Sequence, residues 1–398
     1  MKEAATVSTL LKDLASFKDE FVALRHDLHT HPELGFDEKR TSDMVAEKLQ
    51  SWGYTIERGF AGTGLVATLR NGTSNKVIGL RAEMDALPIL EKTGLPWQSA
   101  QSGVSHMCGH DGHTTMLLCA ARYLAEKKPF DGILHLIFQP AEELLCGGSR
   151  MIDDGLFKKY PCDILFAQHN MPGFPSGNFY FHKNASMASS DTVRITLKGT
   201  GGHGAFPQKS HDPVVASAQL VLALQSIVSR NVDPFAPAVV TIGALNSGSA
   251  ANVIPDKAEL LLSIRTMTDE IRQLVLKRVS DIATNTAAAH DCAAVVEHLN
   301  GSPVLVNDGK AIDFARSTAA ALFGADHCHD SPPFMGSEDF AFMLQAHPNG
   351  CYWFIGNGTE GCNGTPLHNG GFDFNDDNIL PGAALFIGLV ERYLAPAA

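Results

Sequence analysis

Residues 105–115 read Ser-His-Met-Cys-Gly-His-Asp-Gly-His-Thr-Thr, which places one thiol and three imidazoles beside two glycines. Cys108 and His110 are two apart, so both side chains can reach one ion from an extended or turning segment. A thiolate together with an imidazole suits a borderline-soft divalent cation such as zinc. The plain alternative is a polar loop whose histidines cap a helix beginning near Thr114. Donors further along the chain decide against it. Glu142-Glu143 follows Pro140, His169 closes an apolar run, and His368 lies in Gly364-Thr-Pro-Leu-His-Asn-Gly-Gly. Adjacent residues face different ways on a helix or a strand, so one glutamate can bind an ion while its neighbour faces a water on that ion. Singly, each has an ordinary explanation: acids favoured at a helix start by its dipole, a core histidine, a surface histidine in a turn. Together Cys108, His110, Glu143, His169 and His368 provide sulfur, nitrogen and oxygen donors for two metal ions sharing a ligand.

Such a site needs a scaffold that brings distant residues to one place. Short apolar runs at 77–80, 133–138 and 164–167 end respectively near Asp85, at Glu142-Glu143 and at His169. A helical pattern at 115–127, with Leu117, Leu118, Ala121 and Leu124 on one face, separates the first two. Strand, helix, strand with polar residues at the carboxyl ends is how open α/β sheets build sites, and continuous apolar runs fit strands covered on both faces. Upstream, Phe17, Phe21, Leu24 and Leu28 mark a helix closed by Pro32, and 41–52 a second helix with Met44, Val45 and Leu49 inward. Segments 64–70 and 76–80 are expected to pair as strands.

From about residue 191 the pattern changes. Val193, Ile195 and Leu197 alternate as on a half-exposed strand, and Asp212-Pro213 opens a helix running to about 229. Strands at 238–245 and 258–265, a helix capped by Thr268, and a strand at 293–298 complete a β-α-β-β-α-β order, the split βαβ or ferredoxin-like unit. The first style then returns, with helices at 311–322, 340–345 and 383–394 and a buried strand at 352–355. The expected organisation is α/β: a mostly parallel-sheet catalytic domain at 1–188 and 303–398, with an inserted ferredoxin-like lid or dimerisation domain at 189–302.

Bulk properties narrow the function. At 398 residues the chain exceeds one ordinary core, and its composition is that of a soluble globular protein. A net charge of −12 argues against nucleic acid or an anionic membrane as partner. Lys2, Glu3, Lys12 and Asp13 interrupt the amino terminus, so neither leader nor anchor is expected there and a cytoplasmic location follows. The cysteines at 108, 119, 146, 162, 292, 328, 351 and 362 lack a framework spacing and read as thiols, with Cys108 alone in a special neighbourhood.

The stretches His-Met-Cys-Gly-His-Asp-Gly-His, Gln139-Pro-Ala-Glu-Glu, His31-Pro-Glu-Leu-Gly, Gly201-Gly-His-Gly-Ala and Gly336-Ser-Glu-Asp-Phe resemble, in order, motifs of the M20 metallopeptidase family. Within it they look like the aminoacylase, hippurate hydrolase and auxin-conjugate amidohydrolase branch. Where related carboxypeptidases carry His-x-Asp, this chain has Glu83-Met-Asp85, and Cys108 stands at the bridging position. The resemblance implies Cys108 as bridging thiolate, His110, Glu143, His169 and His368 as further ligands of two divalent ions (Zn²⁺, Mn²⁺, Co²⁺ or Ni²⁺), and Glu142 as general base. It implies Asp85 as the support of a ligand histidine, His203 as donor to a developing oxyanion, and Asn252, Arg265 and Gly336 as substrate contacts. Arg265 could grip a carboxylate bidentately. The implied substrate is an N-acyl amino acid, and the implied assembly is a homodimer or higher oligomer through the lid. Two rival readings are a dipeptidase or carboxypeptidase with the same site, and a cysteine hydrolase with Cys108 as nucleophile. A non-catalytic metal-binding scaffold is disfavoured, because pure binding needs no spare base beside Glu143.

Overall fold

The computed structural model describes residues 10–396; Lys2 and Glu3 lie outside them. Along the chain the principal elements are α1 (Lys18–Thr30), α2 (Lys39–Ser51), β1 (Thr55–Phe60), β2 (Gly64–Asn71), β3 (Val77–Glu83), α3 (His110–Lys127), β4 (Gly132–Gln139), β5 (Ile164–Pro172) and β6 (Phe179–Phe181). There follow β7 (Ser189–Lys198), α4 (Pro213–Leu224), β8 (Ala238–Ser247), β9 (Lys257–Thr266), α5 (Asp269–Ala289) and β10 (Ala293–Ser302). The chain closes with α6 (Gly309–Phe323), β11 (Cys328–Asp330), β12 (Gly350–Gly358) and α7 (Ile379–Tyr393). Two compact units result: Met1–Ser186, Val306–Pro332 and Phe342–Ala398 form one, Met187–Leu305 and Pro333–Ala341 the other.

The first unit is built on an eight-stranded sheet of order β1-β2-β4-β3-β5-β12-β6-β11. Its central strands β4, β3, β5 and β12 are parallel, whereas β1, β2 and β4 pair antiparallel. Burial explains the difference. The central strands are apolar nearly throughout because both faces are covered, whereas β1 at the edge is half exposed. Helix α3 packs against α1, α2 and α7, and Leu24, Leu117, Leu124, Trp353 and Phe386 belong to one core.

The expected pairing of 64–70 with 76–80 does not form. Strand β4 lies between them, antiparallel to β2 with Leu65 opposite Phe138 and parallel to β3 with Glu83 opposite Gln139. The crossover from β3 through α3 delivers β4 alongside β3, in the position a simple hairpin would have used. Strands β1, β6 and β11 were not expected; the last two are three residues each, too short to show a period.

The second unit has the β7-α4-β8-β9-α5-β10 order, with a four-stranded antiparallel sheet β8-β9-β7-β10. Alternating burial along β9 puts Leu260, Leu262 and Ile264 against one helical layer with Leu220, Leu224, Val275 and Val279. Each such side chain removed from water contributes about 1.5–3 kcal/mol before entropy is counted. Asp212 Oδ1 accepts the Val214 amide at 2.8 Å with Pro213 at the first helical position, and Thr268 Oγ1 accepts the Ile271 amide at 3.2 Å. Both caps agree with the sequence reading. The stretch Pro213–Arg230 is long and apolar enough to cross a membrane by length and composition alone. Here Ala216 and Leu220 are buried in the unit's core, while Val214, Val215 and Leu222 face outward.

Candidate metal centre

The first unit gathers its chemistry at the carboxyl ends of β3, β4 and β5. Helix α3 begins at His110 and not near Thr114, because Gly109 turns the chain with φ +92°, a left-handed conformation that costs an L side chain energy. A Cβ on Gly109 would also lie 2.2 Å from Asn170 Oδ1. The bend leaves Cys108 before the helix and His110 on its first turn, both buried and on one side. Just past β3, Asp85 serves two partners. Its Oδ1 meets His110 Nδ1 at 3.1 Å, supported by its own carbonyl at 2.9 Å, and its Oδ2 accepts the Glu143 amide at 2.9 Å.

Glu142 and Glu143 do not start a helix. They occupy a turn after β4 in which Ala141 has φ 54° and Leu145 φ 52°, and the next helix begins at Gly147. The turn separates the two carboxylates in direction while both remain near His110. His110 Nε2 is 4.0 Å from Glu142 Oε2, and ligand atoms of His110, Glu142 and Glu143 lie within 4.8 Å of one another. On β5, His169 Nδ1 donates to the Asn170 carbonyl at 2.6 Å and Nε2 faces Cys108 Sγ at 3.3 Å. His368 sits in a turn with φ 61°, its amide bonded to the Met107 carbonyl at 2.8 Å and its Nε2 3.3 Å from Glu143 Oε2. Two donor trios emerge, Cys108–His110–His169 and Cys108–Glu143–His368, each within 4.8 Å and sharing the thiol.

These residues fit divalent cations on three grounds. His110 and His169 both commit Nδ1 to oxygen acceptors, which leaves the Nε2 lone pair directed at the site, the tautomer that ligation needs. His110 Nε2 and Glu143 Oε1 are buried without a hydrogen-bond partner. The local potential is strongly negative: burial opposes the charged form of His110, yet Asp85, Glu83 and Glu143 outweigh it and push the imidazole up to about 10. Burial, followed by the charges of Glu143 and Glu142, drives the Cys108 thiol well above its usual range. A divalent cation reverses that balance and favours the thiolate.

Several residues that reinforce the site escaped the sequence reading. His113 is fully engaged, Nδ1 with Glu83 Oε2 at 2.8 Å and Nε2 with Asn170 Oδ1 at 2.7 Å, and Glu83 is also paired with Arg81. Asp111, next to His110, is buried with Arg25 Nε at 3.1 Å and His29 Nδ1 at 2.8 Å, and Arg25 also pairs with Asp373. His29 reaches Glu91 at 3.2 Å; burial opposes its charge, but Asp111 and Glu91 push it up to about 9. All eight cysteines are free thiols.

The remaining candidates lie in the second unit. His203 is exposed on a two-residue strand opposite Val253, and exposed Asn252, in the turn just before Val253, accepts the Gly204 amide on its carbonyl at 2.8 Å. His203 Nδ1 accepts the Ala205 amide at 3.0 Å. Arg265 on β9 donates through Nη1 to Ser337 Oγ at 2.7 Å, beside Gly336, whose carbonyl accepts the Ala188 amide at 2.9 Å. Burial holds the Arg265 guanidinium below its ordinary value.

Residues 79–392 match peptidase family M20/M25/M40. The chain is 45% identical over 386 residues to the hippurate hydrolase of Campylobacter jejuni, covering 97% of this chain and 99% of that one. It is 36% identical to the N-acetylcysteine deacetylase of Bacillus subtilis, over 87% of this chain and 90% of that one. Among solved structures, the Bacillus subtilis YXEP protein, described as a dinuclear metal-binding peptidase of the M20 family, superposes with a TM-score of 0.82 at 29% identity, covering 96% of this chain and 99% of that one.

Proposed function

The chain belongs to peptidase family M20/M25/M40, and from that premise we propose a metal-dependent amidohydrolase that cleaves N-acyl amino acids to a carboxylic acid and a free amino acid. The observation that carries it is the pair of donor trios sharing Cys108, with a second carboxylate, Glu142, set beside them. Cys108, His110, Glu143, His169 and His368 would hold two divalent ions; Zn²⁺, Mn²⁺, Co²⁺ and Ni²⁺ suit the donor set. Ions in such a site acidify a bound water and polarise an amide carbonyl. Glu142 accepts the proton from the attacking water and delivers it to the leaving amine. Asp85 keeps His110 in its ligating tautomer and fixes the Glu143 backbone with its other oxygen. In the second unit, proposed as lid, His203 supplies a donor to the oxyanion, and Asn252, Arg265 and the backbone at Gly336 contact the substrate, Arg265 through its carboxylate.

We also propose a homodimer formed through the second unit, in a soluble, cytoplasmic enzyme. On α4, Leu222 is 74% and Val215 53% exposed, and edge strand β8 adds exposed Val239 and Leu245. An unpaired edge flanked by an apolar helix face is a surface that proteins cover.

The test separates the two glutamates. Chelation should abolish hydrolysis of a panel of N-acetyl, N-benzoyl and N-indoleacetyl amino acids, and added divalent ions should restore it. Glu142→Gln should keep its metal and lose ~10²–10⁴ in kcat, while Glu143→Gln should lose metal. Full activity in metal-free protein refutes the reading. Inactivation of the metal-loaded enzyme by thiol alkylation, with indifference to chelators, would favour Cys108 as nucleophile. Rapid hydrolysis of dipeptides with none of N-acyl amino acids would favour a peptidase.

A further inference from the structure

The turn that carries Glu142 and Glu143 is held by buried carboxylates on both sides. Asp85 takes the Glu143 amide. On the other side Glu38, itself fully buried, accepts the Ala141 amide through Oε1 at 2.9 Å and the Thr63 hydroxyl through Oε2 at 2.6 Å. Ala141 is the residue with φ 54°, a conformation that residues other than glycine rarely adopt. The backbone around it is tightly drawn: the Leu145 amide donates to the Glu142 carbonyl at 2.7 Å and the Gly147 amide to the Ala141 carbonyl at 3.2 Å. Gly35 approaches so closely that a Cβ there would lie 3.0 Å from Ala141 Cα. The segment 31–38 therefore forms one wall of the turn, and Glu38 is its only carboxylate bonded to the Ala141 amide among the described residues.

We infer that Glu38 is a positioning residue for the hydrolysis: by holding the strained Ala141 peptide, it sets the direction in which Glu142 points. This rests on Glu142 being the general base. A carboxylate buried away from water is unfavourable unless its acceptors are used. Glu38 uses both, one on the peptide that precedes Glu142 and one on Thr63. Burial pushes its carboxyl up to about 7, against the hydrogen bond from Thr63, so a neutral side chain of the same shape suits the pocket. Glutamine would place its carbonyl on the Ala141 amide and donate its NH₂ to Thr63 Oγ1.

The experiment compares Glu38→Gln, Glu38→Ala, Thr63→Val and Glu142→Gln as metal-loaded full-length proteins. It measures kcat, KM, metal per chain and amide hydrogen exchange across 140–147. Glu38→Ala should lose on the order of 10²-fold in kcat, as expected when a reacting group shifts by about an ångström, with KM within about threefold. Its Ala141 and Glu143 amides should exchange faster while those of β4 and β5 keep their protection. Glu38→Gln should restore kcat to within about threefold of the parent, a rescue that loss of charge would prevent. Wild-type kcat per metal-loaded site in Glu38→Ala, or a Gln variant as impaired as Ala, overturns the inference. Should Glu38→Ala fail to fold, Thr63→Val carries the test. A faster exchange at 140–147 with a several-fold lower kcat supports the inference, and no change in either overturns it. A fully active Glu142→Gln removes the general-base reading itself, and is seen without reference to the Glu38 variants.

Discussion

Gly109→Ala concentrates the logic of the metal centre into one methyl group. The backbone there has φ +92°, which costs an L residue ~1–2 kcal/mol. The added Cβ would meet Asn170 Oδ1 at 2.2 Å, so the amide must withdraw. Withdrawal breaks its 2.7 Å bond to the buried His113 Nε2, and an unsatisfied buried group costs ~1–3 kcal/mol. The combined destabilisation is about 2–5 kcal/mol, or roughly 4–20 °C in Tm for a unit of this size. Because Gly109 also sets the angle between Cys108 and His110, metal affinity should fall by at least the ~10–100-fold typical of disturbed support around ligands. Thermal melts of the metal-free protein and competition with a chromogenic chelator read the two effects separately. In an Asn170→Ala background the same substitution should cost only the backbone part, ~1–2 kcal/mol, because the oxygen it strikes is gone. Unchanged Tm and unchanged chelator competition in Gly109→Ala would refute the reasoning, and equal costs in both backgrounds would refute the clash.

Two further outcomes follow from other parts of the molecule. Burial pushes Glu391 on α7 up to about 7 from its ordinary 4.5. The folded state therefore holds a proton that the unfolded chain has lost, and stability falls as pH rises from about 4.5 to about 7, levelling above. Glu391→Gln should lack that fall, so its Tm advantage over the parent should be larger at pH 7.5 than at pH 4.5; an equal difference at both refutes it. His203→Ala should lose ~10²–10³ in rate if it faces the oxyanion. If that histidine serves the partner's site, mixing His203→Ala with Glu142→Gln after dissociation should recover activity, because one site of the mixed dimer then has an intact base and an intact histidine. No recovery places His203 in its own chain's site.

What could be read from the sequence was what is local or strongly periodic. Cys108 and His110 are two residues apart, and the caps Asp212 and Thr268 act within three residues of themselves. The helices and the central strands declare themselves through period and continuous apolar runs. Less was legible where distance in sequence intervenes. Nothing near Asp111 announces Arg25 and His29, some eighty residues upstream, and nothing near Gly109 announces Asn170. The order β2-β4-β3 follows from crossover handedness and layer packing, which outweigh the proximity of β2 and β3 along the chain. Nothing near Glu38 in the sequence announces its burial or its bond to the Ala141 amide, about a hundred residues away.

The two trios sharing Cys108 also impose an order in time. His169 follows Cys108 by 61 residues, whereas His368 stands near the end of the chain. At roughly 5–20 residues per second of synthesis, the first trio is complete within seconds, and the second waits on the order of ten seconds or more. A nascent chain thus carries the donors of the first trio before it carries all those of the second. During that interval Cys108 has its histidine partners but not His368, whose turn closes over Met107. On the two-ion reading proposed above, loading would be sequential, and a chain stalled before residue 368 should carry a thiol more open to oxidation than that of the finished protein.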